Sequence, residues 1–446
     1  YMLRLTSDSD HLYMQVYHYF QKQIADGSLT PGSKMPSLRR CAQELELSRT
    51  TVEAAYLQLA ADGYIISRPQ SGYYVTSMGS RTQTSNPSKT SRLTPVRFDF
   101  ASSGVDRESF RFQLWRRYLK SALRQDERLL TYGEPQGEED FRQALADYVK
   151  KQRNILCKPE DIVVGAGVQS LLHILCPLLR TEKTVSFPTP SYFQGISVFQ
   201  DYGFQVSYRN KDCDLIYVTP AHMTKWGEIM PVSRRLELIH HAAKGHLVLE
   251  DDFENEFVYL QKPTPSLYTL DGGKHVVYIG SFSRLLLPSI RISFMILPQD
   301  LSCAYRKVAA HYNQTASKSE QIALTQFIRD GHLAAQVRRL RRLYAQKMKK
   351  LLDVITEVFQ DQASLQIGSA GTCVALTLSA KKVTTERPLS RFPQFARLKS
   401  IGIEALSWDD HSITLLLSCS AMPLSDFPQA CLALKAAWEE YSSAIE

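Results

Sequence analysis

Gly280-Ser281-Phe282-Ser283-Arg284-Leu285-Leu286-Leu287-Pro288-Ser289-Ile290-Arg291 is the stretch that decides how this chain is read. It follows an apolar run at 275–279 that has the length and composition of a buried strand. Ser281, Ser283, Arg284 and Arg291 then gather hydroxyls and fixed positive charge in one short segment. Arg284 is the informative position. A guanidinium stays protonated and spreads its charge over three nitrogens, so it cannot attack an aldehyde near neutral pH as a tuned lysine can. It can grip a phosphate or carboxylate with two parallel hydrogen bonds. The segment therefore offers anion binding and withholds a nucleophile.

Outward from that segment, apolar runs at 161–164, 215–218 and 246–249 alternate with helical stretches from residue 96 onward, a pattern that predicts a parallel α/β sheet. The 446 residues exceed one ordinary domain, and a hydrophobic content of 44% supports large cores and excludes wholesale disorder. Three zones separate. Residues 1–76 form a compact block of short helical patterns ending in a hairpin. Residues 77–95 turn to Ser, Thr, Asn and Pro with Arg81, Lys89 and Arg92 and no acidic residue, which reads as a flexible basic linker. Residues 96–446 carry the α/β pattern. Eight cysteines lie scattered without a Cys-x-x-Cys pair, which argues against a zinc or disulfide framework, and no metal site is expected. No apolar run nears the roughly 18–20 residues that span a bilayer, and no leader peptide is visible. The expected location is the cytoplasm, at the nucleoid, with no membrane partner. A net charge of +8 permits an anionic partner without identifying one.

In the first zone Leu12, Val16, Phe20 and Ile24 recur at helical spacing, and Gly27 closes that helix. Ser37 ends an extended loop and suits the cap of a second helix over about 38–44. The turn Leu45-Glu46-Leu47-Ser48 leads into a third helix over about 49–62, and 65–67 with 73–75 make a hairpin. Three motifs then resemble the winged helix-turn-helix of GntR-type regulators: residues 31–39 (Pro-Gly-Ser-Lys-Met-Pro-Ser-Leu-Arg), 48–52 (Ser-Arg-Thr-Thr-Val) and 71–75 (Ser-Gly-Tyr-Tyr-Val). The resemblance implies operator DNA as partner and Ser48, Arg49, Thr50 and Thr51 at the start of a recognition helix. Lys34, Ser37 and Arg39, with Arg68, Gln70 and Gly72 on the wing, would hold the DNA backbone. Residues 1–80 match their Lys and Arg with Asp and Glu, so the clustering of cations points to DNA and the net charge does not.

The third zone resembles the aminotransferase-like half of MocR-type regulators, a pyridoxal-phosphate fold of the aspartate aminotransferase kind. Tyr132-Gly133-Glu134-Pro135-Gln136-Gly137, Gly165-Ala166-Gly167-Val168-Gln169, Phe187-Pro188-Thr189-Pro190-Ser191-Tyr192 and Thr219-Pro220-Ala221-His222 with Gly227 match its stations. Glu250-Asp251-Asp252-Phe253-Glu254 matches the run whose aspartate pairs with the cofactor's ring nitrogen; Asp251 is taken for that role, with Asp252 the alternative. Gly167, Val168, Gln169, Ser281, Ser283 and Arg291 would form the phosphate cup, and Tyr192 would face the ring.

The departures carry equal weight. Arg284 stands where the family has its Schiff-base lysine, Phe253 replaces a tyrosine, the strand 412–419 lacks an arginine, and Gly371-Thr372-Cys373 only loosely matches the family's pattern. The resemblance then implies a non-enzyme: pyridoxal 5'-phosphate is suggested by the fold, but covalent attachment is not expected. The pocket takes that ligand non-covalently, another phosphate-bearing effector, or none. Two states of it stay open. Either Arg284 swings onto Asp251 and plugs a dead site, or it joins Arg291 in a live anion site. Lys225 is the other lysine weighed as a stand-in. Basic residues 338–350 read as a solvated helix face or as a second DNA contact. The expected function is a homodimeric transcription regulator with a small-molecule effector. The alternatives are a working aminotransferase with an added head, and a large domain that only dimerises.

Overall fold

The computed structural model describes residues 11–69, 71–76, 96–101, 104–179, 181–258, 264–380 and 388–443. The chain divides into two compact units, residues 1–93 and 94–446. Gln70 and the stretch 77–95 read as a linker lie outside the described residues.

The first unit packs three helices, α1 (Leu12–Ala25), α2 (Leu38–Glu44) and α3 (Arg49–Ala61), against the antiparallel hairpin β1 (Ile65–Arg68) and β2 (Gly72–Val75). Its core is its own: Val16, Phe20, Met35, Val52, Tyr56, Leu59, Ile65 and Val75 are buried together. Phe20 and Tyr73 each meet the Tyr56 ring edge-on, and the Tyr56 hydroxyl donates to Pro36 O at 3.1 Å. That bond ties the loop before α2 to the middle of α3.

In the second unit β3 (Phe98–Asp99) pairs with β13 (Ile401–Gly402). The main sheet holds β4 (Ile162–Gly165), β5 (Thr184–Phe187), β6 (Gln205–Tyr208), β7 (Leu215–Val218), β8 (Leu247–Asp251), β9 (Val276–Ser281) and β10 (Ser293–Ile296) in the order β4-β10-β9-β8-β7-β5-β6. The parallel α/β sheet expected from the sequence is present, and one strand departs from it: β10 runs antiparallel to both its neighbours. The connection 282–292 is too short for a helical crossover, so the chain doubles back and sets Ser293 beside Ser281. A second sheet follows, β11 (Ala363–Gln366), β12 (Cys373–Ser379), β15 (Ser412–Ser418) and β14 (Glu404–Trp408), in that order. The 28-residue helix His332–Phe359 serves both layers, with Val337, Leu340 and Tyr344 in one core and Leu351, Val354 and Ile355 in the other.

That helix corrects a second expectation. Lys347 is not on a solvated face. It is fully buried, donating to Asp106 Oδ2 at 2.6 Å and Ser420 O at 2.8 Å. Arg338, Arg342, Lys349 and Lys350 remain exposed.

Candidate functional site

Two sites emerge, one in each unit. At the start of α3 the Ser48 hydroxyl accepts from Thr51 N at 3.1 Å and lies 2.8 Å from the Thr50 hydroxyl and 2.7 Å from that of Thr51. Ser37 caps α2 in the same way, accepting from Arg40 N at 3.2 Å. Both caps leave the helix starts with their N–H groups and positive dipole ends toward solvent. Arg39, Arg49 and Thr50 are exposed there.

On the hairpin the Arg68 guanidinium lies over the Tyr74 ring at 4.5 Å, with Lys34 Nζ at 5.9 Å from the same ring. Ser71 and Tyr74 share a hydroxyl bond of 2.6 Å. Gly72 has a φ of 106° and passes close to Lys34, so it fits where a side chain would be strained. Lys34, Arg68 and Ser71 thus converge on Tyr74, which the sequence reading did not single out as a site residue. The Ser71 hydrogen bond, with help from both cations, holds the Tyr74 phenol below its ordinary range.

The second site is a cavity of about 690 Å³ at the C-terminal ends of the central strands. Phe187, Tyr192, Tyr217, Trp226 and Phe253 give it aromatic walls, and Ala405–Ser407 of the second sheet close one side. Asp251 at the end of β8 faces into it and accepts from the Tyr217 hydroxyl at 2.5 Å. Burial lifts the Asp251 carboxyl to about 6, against the lowering effect of that hydrogen bond. Asp252 turns the other way. It takes two bonds from Arg153, at 2.7 and 3.1 Å, and one from Tyr278 at 2.8 Å. The choice between the two aspartates therefore falls on Asp251 for geometric reasons.

Arg284 does not reach Asp251. Its Nε donates to Glu254 Oε1 at 2.7 Å, and its two other nitrogens donate to Gly104 O at 3.3 Å and Thr372 Oγ1 at 3.1 Å. The dead site does not hold as drawn, since no Arg284–Asp251 bridge fills the cavity; the guanidinium faces Glu254 instead. Glu254, with a side chain only 4% exposed, supplies the counter-charge, and its φ of 57° turns it toward Arg284. Its other oxygen lies 3.5 Å from His222 Nδ1, whose ring meets Phe253 edge-on. Lys225, the stand-in weighed for the lysine, pairs instead with Glu404 at 2.5 Å.

The phosphate-cup residues gather beside the cavity without lining it. A Cβ on Gly167 would stand 2.5 Å from Nη2 of Arg291, so only glycine lets that guanidinium close over the start of the helix Val168–Leu175. Val168 and Gln169 form that helix's first turn, and the Gln169 side chain donates to Gln194 O at 3.5 Å. The Ser281 hydroxyl lies 3.1 Å from that of Ser283 and 3.0 Å from that of Ser293. Among the described residues no carboxylate lies within ion-pairing reach of Arg291. Glu254 and Tyr217 were missed from sequence although both fall inside stretches already singled out.

This geometry defines a winged helix-turn-helix joined to a unit with the aminotransferase fold. The sequence model for bacterial regulatory proteins of the gntR family matches residues 12–75, and that for aminotransferase class I and II matches residues 106–387. An HTH-type transcriptional regulator of Bacillus subtilis, YdeL, is 32% identical over 96% of this chain and 97% of its own length. The probable rhizopine catabolism regulatory protein MocR of Rhizobium meliloti is 29% identical over 83% of this chain and 82% of its own. An archaeal alanine:glyoxylate aminotransferase shares the fold, with a TM-score of 0.66 at 18% identity over 77% of this chain and 91% of that one. The chain belongs to the MocR-type transcriptional regulators, in which a GntR head is fused to an aminotransferase class I and II domain. Among the described residues no helix is long and apolar enough to cross a membrane.

Proposed function

We propose that the large domain of this regulator senses a small phosphate-bearing effector, a vitamin B6 phosphate or a relative of it, without covalent attachment and without transaminase turnover. The chain would act as a homodimer that sets two heads on operator DNA. The observation that carries the reading is the Arg284–Glu254 pair. It removes the nucleophile and spends the new charge on a protein carboxylate, while Asp251 and Arg291 stay available on either side.

The residues present fit a pyridoxal-type ligand. Asp251 would hold a protonated ring nitrogen, steadied by Tyr217; Tyr192 would pack on the ring; Gly167, Ser281, Ser283 and Arg291 would take the phosphate at a helix start. Such a group supplies an electron sink when bound. This chain's residues would hold it in place; Lys225, the lysine lining the cavity, is paired with Glu404, and Phe253 offers no hydroxyl beside it. The head would read DNA through Arg49, Thr50 and Thr51, with Lys34, Ser37, Arg39, Ser48, Arg68, Gln70 and Gly72 on phosphates.

Thermal shift with pyridoxal 5'-phosphate, pyridoxamine 5'-phosphate and inorganic phosphate tests the sensing half, with a shift expected that Arg291→Ala abolishes. Borohydride reduction followed by mass spectrometry should find no pyridoxyl-lysine. A shift that survives Arg291→Ala, or a modified lysine in the cavity, sinks the reading.

A further inference from the structure

The net charge of +8 has an uneven address. Residues 1–80 hold seven Lys and Arg against seven Asp and Glu, so the whole surplus lies beyond the DNA-binding head. Part of it gathers in a groove of about 740 Å³ between the helix Phe112–Ala122 and the end of the helix Lys318–Arg329. Arg116, Arg117, Lys120, Arg124 and Arg329 line it, all exposed. The one acid on its wall, Asp330, already accepts from the Tyr118 hydroxyl at 2.5 Å. Among the described residues none of the five cations has a carboxylate within ion-pairing reach, whereas Arg40, Lys225, Arg234 and Lys399 each have one.

Arg116 and Lys120 are four residues apart on one helix, and Arg124 follows in the turn just past its end at Ala122. Like charges at that spacing repel, so the stripe weakens the helix unless an anion neutralises it. The groove is open, and its buried donor, the Tyr118 hydroxyl, is already given to Asp330, which suits a continuous polyanion better than a small metabolite. From Arg116 to Lys120 the helix rises about 6 Å along its axis, about two phosphates on one DNA strand, and Arg124 and Arg329 extend the basic lining beyond it.

We propose that this groove is a second, sequence-independent contact for duplex DNA, taking backbone phosphates in addition to those the head contacts. The head brings duplex to the same chain, so even a weak groove contact adds to retention. The sequence reading weighed such a contact on the helix His332–Phe359, whose Arg338, Arg342, Lys349 and Lys350 are exposed as well.

The test uses the full chain and a random-sequence duplex of about 40 base pairs, with affinity measured against NaCl concentration. The variant R116Q/R117Q/K120Q/R124Q should flatten the log–log salt slope by about three, whereas R116K/R117K/R124K should keep it. An unchanged slope in the folded glutamine variant overturns the proposal. So does a flattened slope accompanied by a changed mass in light scattering, which would make the groove a contact between copies of the chain. If the quadruple variant does not fold, Lys120→Glu alone carries the test, and an unchanged slope there overturns the proposal equally.

Discussion

Arg284 gives its charge to Glu254 and leaves Asp251 to Tyr217, so the carboxylate that lines the cavity meets a hydroxyl in place of that guanidinium. Arg284→Ala strands a carboxylate that is 4% exposed, so it should cost about 3 kcal/mol of stability, read from chemical denaturation. If stability is unchanged, the pair is incidental. Asp251 predicts a pH dependence. Its folded pKa of about 6 lies above the ordinary 3.8, so the native state holds the proton more tightly, and this group's contribution to stability falls as pH rises from about 4 to about 6. A ligand that presents a cationic nitrogen should bind more tightly across the same rise, because its partner becomes a carboxylate. Asp251→Asn should flatten both profiles; a variant that differs from the native protein by the same amount at about pH 5 and about pH 8 would refute the assignment. The residue types at this site were legible in the sequence. Their pairing was not. Whether Asp251 or Asp252 faces the cavity depends on which side of β8 is covered, and Arg153, 99 residues away, settles it.

At the scale of elements, the head could be read almost helix by helix, because caps, spacing and hairpin signals are local. Ser48→Ala should cost the head about 1 kcal/mol and loosen the start of α3, measured by the head's unfolding midpoint. An unchanged midpoint would show that Thr51 N finds another acceptor. The direction of β10 and the burial of Lys347 could not be read, since an apolar run carries no strand polarity and a lysine among arginines looks solvated. Its partner Asp106 lies 241 residues back. Loop closure over the cavity is equally non-local. Gly227 has a φ of 88°, and a Cβ there would stand 1.7 Å from Ala370 O. Gly227→Ala should therefore lose more than about 1 kcal/mol and disturb both loops, and a variant with native stability would contradict that close approach.

On the scale of the whole molecule, the buried cluster of the head shares no residue with those of the large unit. Calorimetry should then resolve two transitions, and Leu59→Ala should lower only the head's, by about 3 kcal/mol at a fully buried position. A single transition that moves as one would show the units to be thermodynamically coupled. The three-way grip of Arg284 on Gly104, Glu254 and Thr372 has a consequence for any attempt to install an amine at this position. A lysine placed at 284 brings one nitrogen to a place where three now work, and it still finds phenylalanine at 253. Such an exchange would sacrifice stability before any new chemistry could be read. The guanidinium works as a latch: each of its bonds adds to what a substitution at 284 has to break.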